Sequence, residues 1–281
     1  MTETFLDVGL PLCLCHWGPA PTTGSLPVLV LHGFLEQGAA WDRVAGPLAT
    51  ALNRPVIAPD HRGHGRSGHV SPAQHYHFWD YVADVQAVVD HLGGRVDLVG
   101  HSMGGTMACL FAGSRPEAVR RLVLVEGLGP PDLEGVALKL GRQFLDSRRD
   151  LRPHPQLRDV DEAAKRMQRF NRSLSDAEAH RLATRIVAPR DGGVTWAWDA
   201  RHRARNPYPF QERVFLRFLE AIACPTMLVD GADSSYAKAT PASRVDAARA
   251  VAHQWLPGAG HLVHHDQPEA LADVIRGFLE H

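Results

Sequence analysis

The sequence lacks the features that would send it to several broad classes. No apolar run among its 281 residues is long enough to span a bilayer. The amino terminus, MTETFLDVGLPLCLCHWG, has neither a basic start nor a long apolar stretch, so no secretory signal is visible. Cysteine is scarce: Cys13, Cys15, Cys109 and Cys224 are the whole set, and they suggest no disulfide framework. Cys13 and Cys15 alternate along a strand-like run, while Cys109 and Cys224 read as small buried hydrophobes. A reduced, cytoplasmic setting is the expectation. An excess of either charge is also missing. Thirty basic and 31 acidic residues leave a formal charge of −1, so nothing global recruits nucleic acid or an anionic membrane. There is no internal repeat and no low-complexity tract.

What is present is a chain that can build a large core, with 44% hydrophobic residues. Short apolar runs alternate with helical stretches, the pattern of a mostly parallel sheet covered on both faces. Residues 5–17 suggest an initial hairpin. Residues 26–31, 55–59, the run from 95 up to Gly100, 121–125, 225–229 and 253–256 read as strands. Helical spacing appears over 38–52, 78–92 and 268–279. From about 130 to 222 the alternation stops, and helices are expected near 136–148, 161–170, 175–187 and 209–221. Within this stretch Ser175 and Glu178 have the spacing of a capping box. The expected organisation is therefore a core of residues 1–129 and 223–281 with a helical lid, 130–222, inserted into it.

The most informative segment is Gly100-His101-Ser102-Met103-Gly104, which follows a buried strand and opens a helix. A G-x-S-x-G pattern in that context puts the serine on a tight, strained turn, where side chains at Gly100 or Gly104 would strike their neighbours. A serine hydroxyl is a weak nucleophile at neutral pH and needs a base. Among 17 histidines, His261 has the right place, directly after the last strand and before the final helix. There it would share the carboxyl edge of the sheet with Ser102. His264 and His265 follow it closely, but no carboxylate or cysteine cluster stands nearby in sequence to complete a zinc site. His32, His61, His64 and His101 sit in loops near the same edge, and His32 and His101 are expected to structure the pocket. Two backbone amides should face the developing oxyanion, those of Met103 and Phe34. No metal and no cofactor are called for.

Taken together, LHGF (31–34), DHRGHGRSG (60–68), GHSMGG (100–105), PTMLVDGADS (225–234) and PGAGH (257–261) resemble the α/β-hydrolase family. The resemblance implies a doubly wound, mostly parallel eight-stranded sheet and catalysis by serine, histidine and an acid through an acyl-enzyme. The 130–222 segment, with Trp196, Trp198, Asp199, Arg201 and Arg203, resembles the lid of serine-hydrolase-like proteins. In most relatives the acid lies three residues beyond the glycine that ends the seventh strand, and here that position is Ser234. Asp233 stands one residue early. Some esterases of this fold instead carry the acid 24 residues after the serine, which is Glu126 here. Glu126 is preferred and Asp233 is the alternative.

The lid arginines (Arg142, Arg148, Arg149, Arg152, Arg166, Arg169, Arg181, Arg185, Arg201, Arg203 and Arg205) are interleaved with acids, and most read as solvated helix faces. Trp196, Trp198, Tyr208 and Phe210 are expected to line or cover an apolar pocket. The function implied is hydrolysis of a carboxylic ester of a small molecule with an apolar moiety. Thioesterase, lactonase and carbon–carbon bond hydrolase are the alternatives within enzymes. A catalytically silent ligand-binding protein is the alternative outside them. Relatives that open epoxides or remove halides carry aspartate where this chain has Ser102.

Overall fold

The computed structural model describes residues 1–22, 24–204 and 206–280. A hairpin, β1 (Thr2–Asp7) and β2 (Pro11–Trp17), starts the chain, followed by β3 (Val28–Leu31), α1 (Asp42–Leu52) and β4 (Val56–Pro59). Next come α2 (Phe78–His91), β5 (Val96–His101), α3 (Met103–Ser114) and β6 (Val119–Val125). The β3, β4 and β5 runs are buried at every position, as strands covered on both faces must be.

After β6 the chain leaves the sheet. The inserted stretch holds α4 (Ala137–Arg149), α5 (Val160–Phe170), α6 (Asp176–Ile186), the hairpin β7 (Val187–Arg190) and β8 (Gly193–Trp196), and α7 (Glu212–Ala221). The capping box forms: Ser175 Oγ accepts the Glu178 N–H at 3.3 Å while Glu178 reaches back to the Ser175 N–H. The sheet resumes with β9 (Thr226–Gly231) and β10 (Ala252–Leu256), separated by α8 (Ser235–Lys238) and α9 (Ala242–Ala248). The chain then runs through α10 (Val263–Asp266) and α11 (Pro268–Glu280).

The eight sheet strands lie in the order β1-β2-β4-β3-β5-β6-β9-β10. β1 and β2 are antiparallel to their neighbours, and the pairs from β4 to β10 are parallel. This is the expected mostly parallel sheet. One apolar cluster lies on each face: Trp41, Leu48 and Ile275 belong to one, and Val85, Met107 and Phe111 to the other. β5 is central, so the loop that carries Ser102 leaves the middle of the carboxyl edge.

Two small strands, β7 and β8, were not expected between 130 and 222. They form a half-exposed hairpin whose Val187, Val194 and Trp196 pack with Leu157, Ala163 and Leu182. Four-residue strands of partial burial leave no buried run to read in the sequence.

Candidate active site

Ser102 stands between β5 and α3 with φ 51° and ψ −115°, a backbone conformation that costs a non-glycine residue free energy. Its N–H donates to Val125 O at 3.1 Å, tying the turn to the end of β6. The flanking glycines are needed because the chain is crowded on both sides. A Cβ at Gly100 would lie 2.6 Å from Gly104 O, and one at Gly104 would lie 2.6 Å from the Leu31 carbonyl carbon. Any side chain there would force β3, β5 and α3 apart.

His261 meets this serine from the loop after β10. Its Nε2 is 3.0 Å from Ser102 Oγ, and its Nδ1 is 3.0 Å from Glu126 Oε2. Glu126 follows β6 with φ 52°, a second strained residue at the same edge. Its carboxylate is wholly buried, and Gly231 N–H and Ser234 Oγ–H each donate to it at 2.7 Å. Two donors and the His261 ring therefore converge on the buried Glu126 carboxyl. A carboxyl at this place can orient the His261 ring, whose other nitrogen faces Ser102 Oγ.

Asp233 does not reach this arrangement. It is exposed, and its backbone N–H donates to Ala259 O at 2.9 Å. At the position where most relatives carry the acid, Ser234 turns inward instead and donates to Glu126. The shorter serine fills the inward site, and its neighbour in sequence faces solvent.

Met103 opens α3, so its N–H has no acceptor within the helix and points from the helix amino end. Phe34 follows the end of β3, with Leu35 next at φ 60°. Phe34 and Met103 both line a cavity of about 430 Å³, together with Tyr76, Phe78, Tyr81, Arg201 and His202. A second cavity of about 650 Å³ shares Phe78 and Asn206 with the first and is mostly apolar. Leu110, Leu133, Leu140, Tyr208, Phe210 and Phe215 contribute to it. A larger groove of about 970 Å³, near Arg62 and Arg148, touches neither Phe34 nor Met103.

Trp196, Trp198, His32 and His101 are not among the residues lining the first two cavities. Trp196 sits on β8 and packs, partly buried, against the apolar cluster that also holds Trp41 and Ile275. Trp198 lies against the His154 ring, 3.9 Å between centroids. His32 is fully buried: its Nδ1–H donates to Gly33 O at 2.7 Å and its Nε2 accepts the His61 N–H at 3.0 Å. Burial, with His61 and His64 beside it, holds its pKa well below the ordinary histidine value. His101 is also buried and faces Glu36 and the His261 carbonyl, behind the serine. Of the aromatic residues expected at the pocket, Tyr208 and Phe210 do line the apolar cavity.

His202 is the site residue that sequence reading missed. It enters from the inserted stretch and packs between the His64 and Tyr76 rings at 4.2 and 4.0 Å. Its Nε2–H donates to Gly63 O at 3.1 Å, and burial presses its pKa down to about 2. Beside it, Tyr76 O–H donates to Asp199 at 2.8 Å, and Asp199 N–H donates to Gly63 O at 2.9 Å. Arg185 and Arg201 are not solvated and stand outside the solvated majority that was expected. Arg185 donates to Gln37 at 3.0 Å, and Arg201 donates to Val70 O at 2.6 Å and pairs with Asp199 at 2.5 Å. Both fasten the inserted stretch to the sheet domain. Arg205 lies outside the described residues. The only sequence signal for these anchors was the Trp-Ala-Trp-Asp and Arg-His-Arg pairing itself.

With this geometry in view, comparison with known proteins is informative. The sequence pattern of the alpha/beta hydrolase fold matches residues 27–268. A thioesterase domain from the curacin biosynthetic pathway is 36% identical with a TM-score of 0.86, over 98% of this chain and 99% of that one. A serine hydrolase-like protein of Danio rerio is 29% identical, over 94% of this chain and 83% of its own length. An sn-1-specific diacylglycerol lipase of Mus musculus is 28% identical, over 91% of this chain and 81% of its own. No helix among the described residues is long and apolar enough to cross a membrane. The chain belongs to the α/β-hydrolase family and stands among its serine hydrolases.

Proposed function

We propose that the protein cleaves a carboxylic ester through an acyl-enzyme, with Ser102 as nucleophile, His261 as base and Glu126 as the acid. The observation that carries this reading is the unbroken contact from Ser102 Oγ through the His261 ring to Glu126, 3.0 Å at each step. Ser102 Oγ attacks the ester carbonyl as its proton passes to His261 Nε2. The tetrahedral oxyanion accepts hydrogen bonds from the Phe34 and Met103 N–H groups. The intermediate collapses, the C–O bond breaks, and His261 returns the proton to the departing alcohol. Water then repeats the sequence on the acyl-Ser102 ester and releases the acid.

The inserted stretch, 130–222, acts in this reading as a lid, and its Leu133, Leu140, Tyr208 and Phe210 favour an apolar acyl or alcohol group in the second cavity. No cofactor takes part, and the four cysteines, all free, suit a reducing cytoplasmic setting. A thioester is the second reading, favoured by the 36% likeness to a thioesterase domain. The test is hydrolysis of p-nitrophenyl esters and acyl thioesters of increasing chain length, with Ser102→Ala as control. Turnover that Ser102→Ala leaves intact refutes the proposal. The ratio of ester to thioester rates chooses between the two substrates.

A further inference from the structure

Behind the serine lies a buried polar group that the proposed mechanism leaves unused. Glu36 Oε2 accepts the Gly33 N–H at 2.8 Å and faces His101 Nδ1 at 3.1 Å. Glu36 Oε1 faces His264 Nε2 at 2.9 Å. The other nitrogen of His101, Nε2, is 2.9 Å from the backbone carbonyl oxygen of His261. The His101 and His264 side chains are 1% and 0% exposed, and that of Glu36 is 15% exposed.

Proton counting assigns the charges. A carbonyl oxygen can only accept, so His101 Nε2 carries a proton. The remaining proton, between His101 Nδ1 and Glu36 Oε2, can sit on either. Glu36 already accepts from Gly33 N–H and from His264 Nε2–H, and two further donors favour the ionised carboxylate. The proton therefore belongs on His101 Nδ1, and the His101 ring carries two. His264 is the neutral partner: its Nδ1 has no hydrogen-bond partner, as an unprotonated nitrogen stacked on Trp41 requires least. The electrostatics agree in direction. Burial opposes charge on both partners, but His264 and His101 hold the Glu36 carboxyl well below its ordinary range, and Glu36 raises the His101 pKa.

This pair also touches all three loops that the reaction needs. His101 precedes Ser102 in the chain and bonds the backbone of His261. Gly33, bonded to Glu36, precedes Phe34. A methyl group at Gly33 would lie 2.6 Å from Glu36 Oε2 and 2.9 Å from His101 Nδ1, so the Phe34 loop is packed directly on the pair.

We propose that Glu36 and a doubly protonated His101 form a buried ion pair that positions the nucleophile, base and oxyanion loops relative to one another. Neither residue touches substrate; both act through Ser102, His261 and Phe34. The proposal rests on the catalytic roles given above. Other groups facing the pair are His261, whose ring centroid is 5.1 Å from that of His101, and His265, whose Nε2 is 3.7 Å from Glu36.

Two measurements test it. In wild-type protein labelled with ¹⁵N-histidine at about pH 8.5, some two units above the ordinary histidine pKa, one ring should carry two protons, and His101→Asn should remove that signal. In folded Glu36→Gln, kcat for a p-nitrophenyl ester should fall about 10- to 100-fold with KM within about twofold of wild type, as expected for misplaced reacting groups. Absence of any doubly protonated ring overturns the proposal. So does a folded Glu36→Gln enzyme with wild-type kcat, which would leave the pair a structural role only. Failure of wild-type protein to react with a fluorophosphonate strikes the catalytic reading itself, whereas the NMR result reads the ion pair independently.

Discussion

Replacing Glu126 by glutamine tests the acid assignment with almost no change of shape. The buried carboxylate now serves three donors: Gly231 N–H and Ser234 O–H at 2.7 Å and His261 Nδ1–H at 3.0 Å. If the new amide keeps its oxygen on Gly231, its NH₂ faces His261 Nδ1. The ring can accept that hydrogen bond only by moving its own proton to Nε2, where it points at Ser102 Oγ and cannot serve as base. If the amide turns over, its NH₂ faces the Gly231 N–H instead, and a buried donor is left unpaired at about 1–3 kcal/mol. Either way the imidazolium formed during attack loses its buried counter-charge. In serine proteases the equivalent acid-to-amide change lowers kcat about 10⁴-fold. A fall of about 10³ to 10⁴, or about 4–5.5 kcal/mol, is expected here. The assay is p-nitrophenyl butyrate hydrolysis, with melting curves to confirm folding. Asp233→Asn, at an exposed side chain, should stay within about threefold of wild type, in line with ordinary surface substitutions. A Glu126→Gln enzyme within tenfold of wild type, or a crippled Asp233→Asn enzyme, would refute the assignment.

Three other outcomes follow from the same structure. Burial lowers the pKa of His61 to about 3, His64 to about 4, His202 to about 2 and His264 to about 3, against an ordinary 6.5. These rings take up protons only on unfolding, so their contribution is fully present above pH 6.5 and is lost as the pH falls below it. Each titrating site should remove about 1.4 kcal/mol per pH unit, and urea midpoints that stay flat from neutral to acid pH would contradict this. Gly104→Ala, with its Cβ driven against the Leu31 carbonyl, should destabilise the chain by about 1–3 kcal/mol or more, read as a lower melting temperature. Leu110→Trp places an indole in the 650 Å³ cavity and should shift acyl-ester preference toward short chains. An unchanged chain-length profile would mean the apolar group binds elsewhere.

The fold was legible because its signals are local. The buried strands announce themselves as unbroken apolar runs, and Ser175–Glu178 carries its helix start within four residues. The serine turn is equally local, since Gly100 and Gly104 make sense only where backbone meets backbone. What stayed hidden depends on distant parts of the chain. Counting 24 residues from Ser102 pointed to Glu126, but the inward turn of Ser234 onto it, across 108 positions, could not be read from the sequence. The Asp199–Tyr76 bond spans 123 positions and the His202–Gly63 bond 139, so no window around the inserted stretch reveals them. Trp196 misled for a related reason. A large aromatic in an inserted stretch suggests a pocket wall, but Trp196 is partly buried against the apolar cluster on one face of the sheet.

The central claim is that Ser102 is a nucleophile activated by His261, and active-site labelling tests it most directly. A fluorophosphonate mimics the attacked carbonyl and needs an activated serine to react. Intact-mass and peptide analysis should find one adduct, on the peptide containing Ser102, with labelling abolished in Ser102→Ala and strongly slowed in His261→Ala. No adduct on wild-type protein, or undiminished labelling of Ser102→Ala, would contradict the account.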